Sequence, residues 1–439
     1  MQNQNENQNL GPYWMPFTAN RSFKASPRMV VSAQGHYYTA EDGSKILDAF
    51  SGLWTTGAGH CHPKIVEAVQ KQAAKLDYSA AFQLGHPQAF ELAERVCELA
   101  PEGINHCFFT NSGSEAVDTA LKIALGYHRL RGEGHRNRLI GRERGYHGVN
   151  FGGISVGGIS PNRKMFSTSL LPNVDHLPHT FNLEKQAFSK GQPEWGGHLA
   201  AELERLVALH DGSNLAAVIV EPVAGSTGIL VPPVGYLKAL REICDKHGIL
   251  LIFDEVITAF GRIGGAFSSD RFGVVPDIIT CAKGLTNGFV PMGAVLVKDE
   301  IYQQFMQGPE NAIELFHGYT YSGHPLACAA GLAAMDIYRD EGVFEQARSN
   351  EKIFEDALHS FKGVENVIDI RNFGLMGAIE LAPSDQPGAR GFAVHTECFR
   401  QGLFVRNGMD ILQFSPFFDG DEDYYSQIFD TVRKIINTV

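Results

Sequence analysis

Apolar and polar positions follow two patterns through the middle of the chain, one typical of helices and one typical of buried strands. Helical spacing of apolar residues predicts helices over residues 87–99, 114–130, 199–209 and 235–244. Short continuous apolar runs predict strands over residues 106–110, 216–220, 249–253, 277–281 and 293–297. Because buried strands that alternate with helices are typical of parallel sheets covered on both faces, we expect an α/β fold.

The pattern changes after about residue 320, where long helices are followed by short strands. Helices are predicted over residues 328–339 and 344–361, and strands near residues 367–370, 375–381, 403–405 and 411–414. We therefore expect a large α/β domain over residues 55–315 and a smaller α+β domain over residues 316–439. Residues 11–54 contain hairpin-like patterns that we expect to pack on the small domain. Residues 1–10 are mostly Asn and Gln and are expected to form a disordered tail.

Composition and charge exclude several classes of protein. The chain has 439 residues, of which 44% are hydrophobic and 20% charged, so it can bury large cores and is not intrinsically disordered. Its formal net charge of −12 disfavours binding to nucleic acids or anionic membranes. No apolar run approaches the roughly 20 residues of a transmembrane helix. Seven scattered cysteines without a Cys-x-x-Cys pair are typical of a reduced, cytoplasmic protein.

Polar residues directly follow three of the predicted strands, where the ligands of doubly wound sheets bind. Gly113 and Ser114 begin a helix whose free N–H groups suit a phosphate, although a merely well-capped helix has the same sequence. Asp254 ends a buried strand and needs a cationic partner: a metal ion, a protonated ring nitrogen or an arginine such as Arg262. Lys283 follows the predicted strand over residues 277–281. Desolvation there lowers the pKa of an amine and makes it a nucleophile towards carbonyls. The alternative is a lysine at the surface, which is the more common position for this residue type.

Together these three features fit the needs of one cofactor. A phosphate site, an acid for a pyridinium nitrogen and a lysine that forms a Schiff base are what pyridoxal 5′-phosphate (PLP) requires. Tyr146 lies in the sequence between the first two features and is a candidate to stack on the cofactor ring, with an ordinary loop aromatic as the alternative. The sequence therefore predicts a PLP enzyme.

From about residue 11 to its C-terminus, the chain resembles the class III aminotransferases of the fold-type I PLP enzymes. The shared motifs are TNSGSEA at 110–116, GYHG at 145–148, VEPV at 220–223, FDEV at 253–256, AKG at 282–284 and HGYTYS at 317–322. Within the class it is most similar to the ω-amino acid–pyruvate (β-alanine–pyruvate) aminotransferases. That similarity lies in WMPF at 14–17, SGLW at 51–54, RGYHGV at 144–149, FDEVIT at 253–258 and LQFSP at 412–416. The resemblance implies a PLP-binding domain with a mostly parallel, helix-covered sheet and a smaller α+β domain.

The resemblance also implies roles for individual residues. The implied cofactor contacts are Gly113, Ser114, Tyr146, Asp254, Val256, Lys283 and Thr320. Lys283 is the implied Schiff-base lysine and Asp254 the implied partner of the pyridinium nitrogen. Thr320 is implied to reach the site of a neighbouring subunit, and hence a homodimer or a dimer of dimers. The implied substrate pocket contains Phe17, Trp54, Phe82 and Arg406, with Arg406 binding the substrate carboxylate.

Arg406 and Ser226 bear on the choice of substrate. Arg406 precedes Asn407-Gly408, a tight-turn signal between two apolar strands, and a mobile guanidinium there can bind a carboxylate with two hydrogen bonds. A solvent-facing turn arginine has the same sequence pattern. Ornithine- and γ-aminobutyrate-type relatives place a glutamate five residues after the Glu of the Glu-Pro motif, where it pairs with the pocket arginine. Here that position, five residues after Glu221, is Ser226. We therefore expect a pair of monocarboxylate substrates.

The activity implied is transfer of the amino group of β-alanine, or of another ω-amino acid or amine, to pyruvate, giving L-alanine and a semialdehyde or ketone. The alternatives are a transaminase for taurine, a diamine or another amine, a PLP aminomutase, and a non-catalytic protein that binds the cofactor. A Gly-x-Ser-x-Gly motif at 153–157 is shared with serine hydrolases, but Gly and Pro follow where their nucleophilic Ser needs a helix. Histidine pairs at 60/62 and 176/179 lack a second pair of metal ligands.

Overall fold

The structure is a computed structural model that describes residues 9–439, so most of the predicted tail lies outside the described residues. The strands are β1 (Val30–Gln34), β2 (Tyr37–Ala40), β3 (Lys45–Asp48), β4 (Ile104–Thr110), β5 (Arg138–Arg142), β6 (Val174–Leu177), β7 (Leu215–Val220), β8 (Leu250–Asp254), β9 (Ile278–Cys281), β10 (Gly293–Lys298), β11 (Val367–Phe373), β12 (Met376–Leu381), β13 (Leu403–Phe404), β14 (Arg406–Gly408) and β15 (Ile411–Phe414). The α-helices are α1 (Asn20–Ala25), α2 (Ser51–Trp54), α3 (Pro63–Lys75), α4 (Pro87–Leu99), α5 (Gly113–Leu130), α6 (Phe151–Val156), α7 (Ser160–Lys164), α8 (Leu183–Gln186), α9 (Glu202–His210), α10 (Tyr236–His247), α11 (Ser269–Phe272), α12 (Asp299–Phe305), α13 (Pro325–Asp340), α14 (Val343–His359), α15 (Ala389–Arg400) and α16 (Glu422–Ile436).

A seven-stranded sheet forms the centre of the fold, in the order β4-β10-β9-β8-β7-β5-β6. Strands β9, β8, β7, β5 and β6 are parallel to one another. Only β10 runs the opposite way, and it pairs antiparallel with both β4 and β9. Strand β4 therefore points the same way as β9, so the carboxyl ends of six strands lie at one edge of the sheet.

Helices cover both faces of this sheet, as the apolar patterns predict. On one face, α5 packs Val117, Leu121 and Ala124 against strand residues such as Ile252 and Val295. On the other face, α9 and α10 form a second apolar cluster with β7 and β8. Two buried faces explain why β7 to β9 are almost wholly apolar in sequence. The predicted α/β class with a mostly parallel, helix-covered sheet is confirmed.

Two four-stranded sheets lie outside the central one. The antiparallel sheet β11-β12-β15-β14 comes from the C-terminal part of the chain and shares an apolar cluster with α14, α15 and α16. In the other sheet, β1-β2-β3 is extended by β13, which pairs in parallel with β3. The N-terminal strands are thus hydrogen-bonded to the C-terminal part of the chain. The domain boundaries at 54/55 and 315/316 stay predictions.

No helix among residues 9–439 has both the length and the apolar character needed to span a lipid bilayer. Within the same range, no three or more His, Cys, Asp or Glu side chains are grouped so that they could bind a metal ion. His60, one of the paired histidines, is instead hydrogen-bonded to Asp48 at 2.8 Å.

Candidate active site

A cavity of about 290 Å³ opens at the carboxyl edge of the central sheet. It is lined by segments that follow β4, β5, β7, β8 and β9, because the parallel strands deliver their following loops to one place. Six of the seven residues predicted to contact the cofactor line this cavity: Gly113, Ser114, Tyr146, Asp254, Val256 and Lys283. The sheet thus brings together residues that are up to 170 positions apart in the sequence.

The N-terminus of α5 forms one wall. Ser112 caps the helix, because its Oγ accepts a hydrogen bond from the backbone N–H of Glu115 at 3.2 Å. The Glu115 carboxylate in turn accepts from the backbone N–H of Asn111 at 2.7 Å. The helix begins at Gly113, and the N–H groups of its first turn have no carbonyl partner within the helix. This wall therefore has the free donors and the dipole that a phosphate needs.

Two glycines let the backbone approach closely at this wall. A Cβ added to Gly113 would lie 2.9 Å from a methyl carbon of Val256, and one added to Gly148 would lie 2.5 Å from Oγ of Ser114. Gly148 also has φ +88°, a conformation that other residues rarely adopt. Larger residues at either position would fill the space beside the helix N-terminus.

Asp254 lies at the end of β8, where its carboxyl oxygens accept three hydrogen bonds. Its Oδ2 accepts from Nδ1 of His147 at 2.7 Å, and its Oδ1 accepts from the Val256 N–H and the Thr280 hydroxyl, both at 3.2 Å. Arg262, the alternative partner, makes its hydrogen bonds elsewhere. The Asp254 carboxyl therefore lines the cavity with three hydrogen-bond donors around it and without an arginine partner.

Lys283 follows β9 and starts a short 3₁₀ turn, Lys283–Thr286. Its backbone has φ 46°, an unusual conformation for a residue with a side chain. Burial lowers the pKa of its amine to about 8, although the Asp254 carboxylate acts in the opposite direction. A substantial fraction of this amine is thus neutral near physiological pH, and it faces the same cavity as Asp254.

Two further titratable residues of the cavity were missed by the sequence reasoning. One is His147, the partner of Asp254. The other is Glu221, which accepts from the N–H of Tyr146 at 2.8 Å and from the N–H of Gly225 at 3.1 Å. Burial raises the pKa of Glu221 to about 7. Both residues lie within recognised motifs, GYHG and VEPV, and both follow strands of the central sheet, which is the signal that could have found them.

Arg406 stands beside the cavity against aromatic rings. Its guanidinium carbon lies 5.3 Å from the ring centre of Trp54 and 5.7 Å from that of Phe50. Burial lowers its pKa. No ion pair to a carboxylate of residues 9–439 neutralises Arg406, and its buried Nε has no hydrogen-bond partner there. Lys283 approaches the same indole ring, with Nζ 5.9 Å from the ring centre.

The turn predicted next to Arg406 is placed differently. Residues 406–408 form strand β14, in which Asn407 pairs with Leu412, so Asn407-Gly408 is not the turn. The hairpin turns instead at Met409 and Asp410, and Met409 has φ 58°. The adjacent β15 continues the ladder as far as the Gly408–Ile411 pair, which places the turn two residues further along the chain. Arg406 is consequently strand-borne.

Five predicted site residues do not line the cavity of their own chain: Phe17, Trp54, Phe82, Thr320 and Arg406. Trp54 and Arg406 lie beside it, whereas the other three are exposed. Phe17 and Phe82 have 78% and 61% of their surfaces exposed. Thr320 is exposed, and its carbonyl oxygen accepts from the Tyr78 hydroxyl at 3.0 Å. Phe82 lies near Thr320, since a Cβ on Gly318 would be 2.9 Å from the Phe82 ring.

Ser155, the nucleophile of the hydrolase alternative, is placed for structure. It lies within α6, is fully buried, and donates to the Phe151 carbonyl at 2.6 Å while accepting from the Leu171 N–H at 2.8 Å. The Ser155 hydroxyl both donates and accepts a hydrogen bond inside a buried helix. It is therefore not exposed, as the nucleophilic serine of a hydrolase must be.

Residues 18–436 match the family model described as "Aminotransferase class-III". The chain is a class-III aminotransferase. Curated relatives cover it almost completely. An omega-aminotransferase of Caulobacter vibrioides is 57% identical over 98% of both chains. A beta-alanine–pyruvate aminotransferase of Pseudomonas aeruginosa is 53% identical over 98% of this chain and 96% of its own.

Solved structures of transaminases share the fold. The omega transaminase of Pseudomonas jessenii in complex with PMP superposes with a TM-score of 0.92 at 29% identity, covering 98% of this chain and 96% of its own. A PLP-bound amine transaminase from an uncultivated Pseudomonas species has a TM-score of 0.90 at 33% identity, over 97% and 98% of the two chains. The predicted fold-type I architecture of this aminotransferase is confirmed.

PLP is the cofactor of this family, and the residues around the cavity fit it. The helix N-terminus offers free donors, the Asp254 carboxyl suits a protonated ring nitrogen, and the Lys283 amine has a lowered pKa. Gly113 and Gly148 let Val256 and the loop after β5 pack closely at the helix N-terminus, where a Cβ would collide with Val256 or Ser114. The cavity chemistry of the aminotransferase therefore agrees with its family.

Proposed function

We propose that the enzyme transfers the amino group of β-alanine, or of another ω-amino acid, to pyruvate, giving L-alanine and a semialdehyde. The observation that carries the proposal is the half-buried Arg406, which lacks a carboxylate partner among residues 9–439 and shares the Trp54 ring with Lys283. A desolvated guanidinium without a counter-ion is costly, and a substrate carboxylate supplies that counter-ion. The similarity to the omega-aminotransferase of Caulobacter vibrioides and to the beta-alanine–pyruvate aminotransferase of Pseudomonas aeruginosa supports the same substrate class.

Ser226 supports a substrate with one carboxylate. Its carbonyl oxygen accepts from the side-chain amide of Gln413 at 3.3 Å, and Gln413 pairs directly with Arg406 across the β14–β15 ladder. A glutamate at position 226 would bring a carboxylate to this neighbourhood and compete with substrate for Arg406. With serine there, the guanidinium stays available to both β-alanine and pyruvate.

The proposed mechanism assigns the cofactor contacts by position. The free N–H groups at Gly113 and Ser114 would bind the phosphate, Tyr146 and Val256 would contact the ring, and Asp254 would accept a hydrogen bond from the protonated ring nitrogen. His147 holds the Asp254 carboxylate in place through its 2.7 Å hydrogen bond. When bound, PLP supplies an electron sink that weakens the C–H bond beside the substrate nitrogen.

Lys283 moves the proton in this mechanism. It would anchor the cofactor covalently until the amine of β-alanine replaces it. Once free and neutral, its Nζ would take the proton from the substrate carbon that bears nitrogen and hold it for return later in the half-reaction. Arg406 binds the substrate carboxylate during this transfer. Pyruvate then takes the same place, its carboxylate on Arg406, and the proton moves in reverse to release alanine, which gives ping-pong kinetics.

The proposal includes a homodimer, or a dimer of two such dimers, in which Thr320 completes the phosphate site of the neighbouring subunit. Six of the seven predicted cofactor contacts line the cavity of this chain, and Thr320 is the one that does not. The exposed Phe82 lies beside it, over Gly318, so both residues would enter the neighbouring site together. This arrangement would explain why Phe82 and Thr320 are exposed on the single chain.

The proposed cellular location is the cytoplasm. All seven cysteines are free, and four of them are buried: Cys244, Cys281, Cys328 and Cys398. Burial raises the pKa of the Cys244 and Cys328 thiols to about 12, which keeps them protonated. Inert, reduced thiols of this kind suit a reducing compartment.

The proposed function is tested by one spectroscopic titration of the PLP-loaded enzyme. We expect β-alanine to remove the visible absorbance of the covalently attached cofactor, because the amine displaces Lys283. Pyruvate should then restore the absorbance and release one equivalent of alanine. A visible band that responds to taurine or a diamine but not to β-alanine would refute the ω-amino acid assignment. Conversion of an amino acid to an isomer without pyruvate would instead indicate an aminomutase.

Covalent attachment of PLP to the cofactor-free enzyme should depend on pH through Lys283. Attachment requires the neutral amine, and burial lowers its pKa to about 8. The attachment rate is therefore expected to rise as pH increases through about 8 and to level off above it. Stopped-flow absorbance over a pH series measures this, and the same reaction with N-α-acetyllysine corrects for titration of the cofactor. A midpoint like that of the free lysine would contradict the assignment.

A further inference from the structure

The segment that carries Trp54 has a strained backbone. Its φ values are 39° at Ser51, 71° at Gly52 and 57° at Trp54, all in the left-handed region. Gly52 and Leu53 are non-helical, so α2 is a kinked turn and not a regular helix. Left-handed conformations at residues with a side chain persist only where surrounding contacts enforce them. Some group must therefore hold this turn in place.

Asp48 holds the turn through the backbone of the turn, while the Ser51 hydroxyl donates to the Ser415 carbonyl and accepts from Arg262. The Asp48 side chain is completely buried, and its two oxygens accept hydrogen bonds from backbone N–H groups on the turn. Oδ1 accepts from Phe50 at 2.8 Å, and Oδ2 accepts from Gly52 at 2.6 Å. Nε2 of the buried His60 lies 2.8 Å from the same Oδ2. Three donors around one buried carboxylate fix both the side chain and the turn.

The turn places an aromatic ring beside the two cationic side chains of the site. The Trp54 ring centre lies 5.9 Å from Nζ of Lys283 and 5.3 Å from the guanidinium carbon of Arg406. Phe50 packs edge-on against it, with ring centres 4.3 Å apart. Because the guanidinium of Arg406 packs on this ring, we expect a shift of the turn to move the guanidinium relative to Lys283.

We infer that Asp48 is a positioning residue for substrate specificity: through the N–H groups of Phe50 and Gly52 it sets the place of Trp54, and hence the spacing between Lys283 and Arg406. The inference rests on the proposed function for the role of that spacing. Asp48 itself touches neither substrate nor cofactor. Its effect is on which amino acids fit with their nitrogen at Lys283 and their carboxylate at Arg406.

Asp48→Asn tests the inference with a nearly isosteric change. The amide has one oxygen to accept with, and its NH₂ faces a donor, so one of the contacts to the turn is lost. We expect the KM for β-alanine to rise by about tenfold and kcat to change by less than about threefold. For propylamine, which has no carboxylate for Arg406, KM should change by less than about twofold. An equal rise in KM for both amines would overturn the inference.

A second readout needs no substrate or cofactor. In a W14F/W195F background, Trp54 is the only tryptophan, so its fluorescence reports the turn directly. In the cofactor-free protein, Asp48→Asn should shift the Trp54 emission to longer wavelength and increase its quenching by acrylamide. Asp42→Asn is the matched control, because Asp42 is an exposed carboxylate of the same N-terminal region that binds only Ser44. Unchanged Trp54 fluorescence in Asp48→Asn would overturn the inference.

His60 keeps the inference testable if Asp48→Asn does not fold. His60→Gln retains an N–H donor for Oδ2 of Asp48, whereas His60→Leu does not. We expect Leu to raise the β-alanine KM and the acrylamide quenching, and Gln to leave both near the wild-type values. Equal behaviour of the two variants would contradict the positioning role. If the wild type does not use β-alanine, the proposed function fails, and the fluorescence comparison still decides whether Asp48 positions Trp54.

Discussion

Replacing Lys283 by alanine is expected to lower kcat by more than about 10⁴-fold while the fold is retained. The substitution removes one amine that has two proposed roles: it anchors the cofactor, and it is the base that moves the proton. It creates no large void, because the side chain already faces the cavity. The loss should therefore appear in turnover and in covalent attachment, with circular dichroism and the melting temperature of the cofactor-free protein little changed.

Borohydride labelling separates these two losses. Reduction should fix PLP on Lys283 in the wild type, and peptide mass spectrometry should find no label in Lys283→Ala. Lys298→Ala is a matched control, since this lysine ends the neighbouring strand β10 but pairs with Asp277 at 2.7 Å and lies outside the cavity. Labelling at another lysine, or turnover near the wild-type rate in Lys283→Ala, would show that the site has been assigned to the wrong residue.

Replacing Arg406 by glutamine is expected to raise the KM for both β-alanine and pyruvate by about 100-fold or more. The guanidinium is desolvated, so its two hydrogen bonds to a carboxylate are stronger than they would be in water. The proton transfer at Lys283 does not involve Arg406, so the reaction of the loaded enzyme with propylamine should keep its rate. Stopped-flow measurement of each half-reaction gives the two effects separately.

Two further variants sharpen this prediction. Arg406→Lys should recover only part of the affinity, because an ammonium group does not provide the planar, paired donors of a guanidinium. Arg400→Gln is the control, since Arg400 is exposed on α15 and pairs with Glu397 of the same helix. An equal loss with propylamine and with β-alanine would mean that Arg406 supports the pocket as a whole and does not recognise the carboxylate.

Within the central sheet, the sequence predicted the strands that are buried on both faces. Strands β7, β8 and β9 are continuous apolar runs, and their predicted limits differ from the observed ones by one residue. Strands β5 and β6 were missed, although both belong to the central sheet. β5 has an arginine at each end and a glycine within it, and β6 contains Asp175 and His176 at the sheet edge. Polar residues at an edge remove the apolar signal on which the prediction depends.

The site residues that directly follow apolar strands could be predicted from the sequence. Asp254 and Lys283 each close an apolar run, so their place at the carboxyl edge follows from the strand pattern and the parallel topology. Arg406 came from the resemblance alone, because a turn arginine has the same sequence. The hydrogen bonds of His147 to Asp254 and of Asp48 to the turn at Gly52 depend on tertiary packing, which no local pattern encodes.

The two ends of the pocket come from separate sheets. Lys283 and Asp254 are borne by the seven-stranded sheet, whereas Arg406 is borne by the hairpin of β14 and β15. Enzyme engineering can therefore treat the pocket as two modules. Exchanging or lengthening the hairpin redesigns the acceptor and donor range, while the reaction machinery on the central sheet remains untouched. In evolution, the same division lets one catalytic scaffold acquire new amino donors through changes in a short β-ribbon far along the chain.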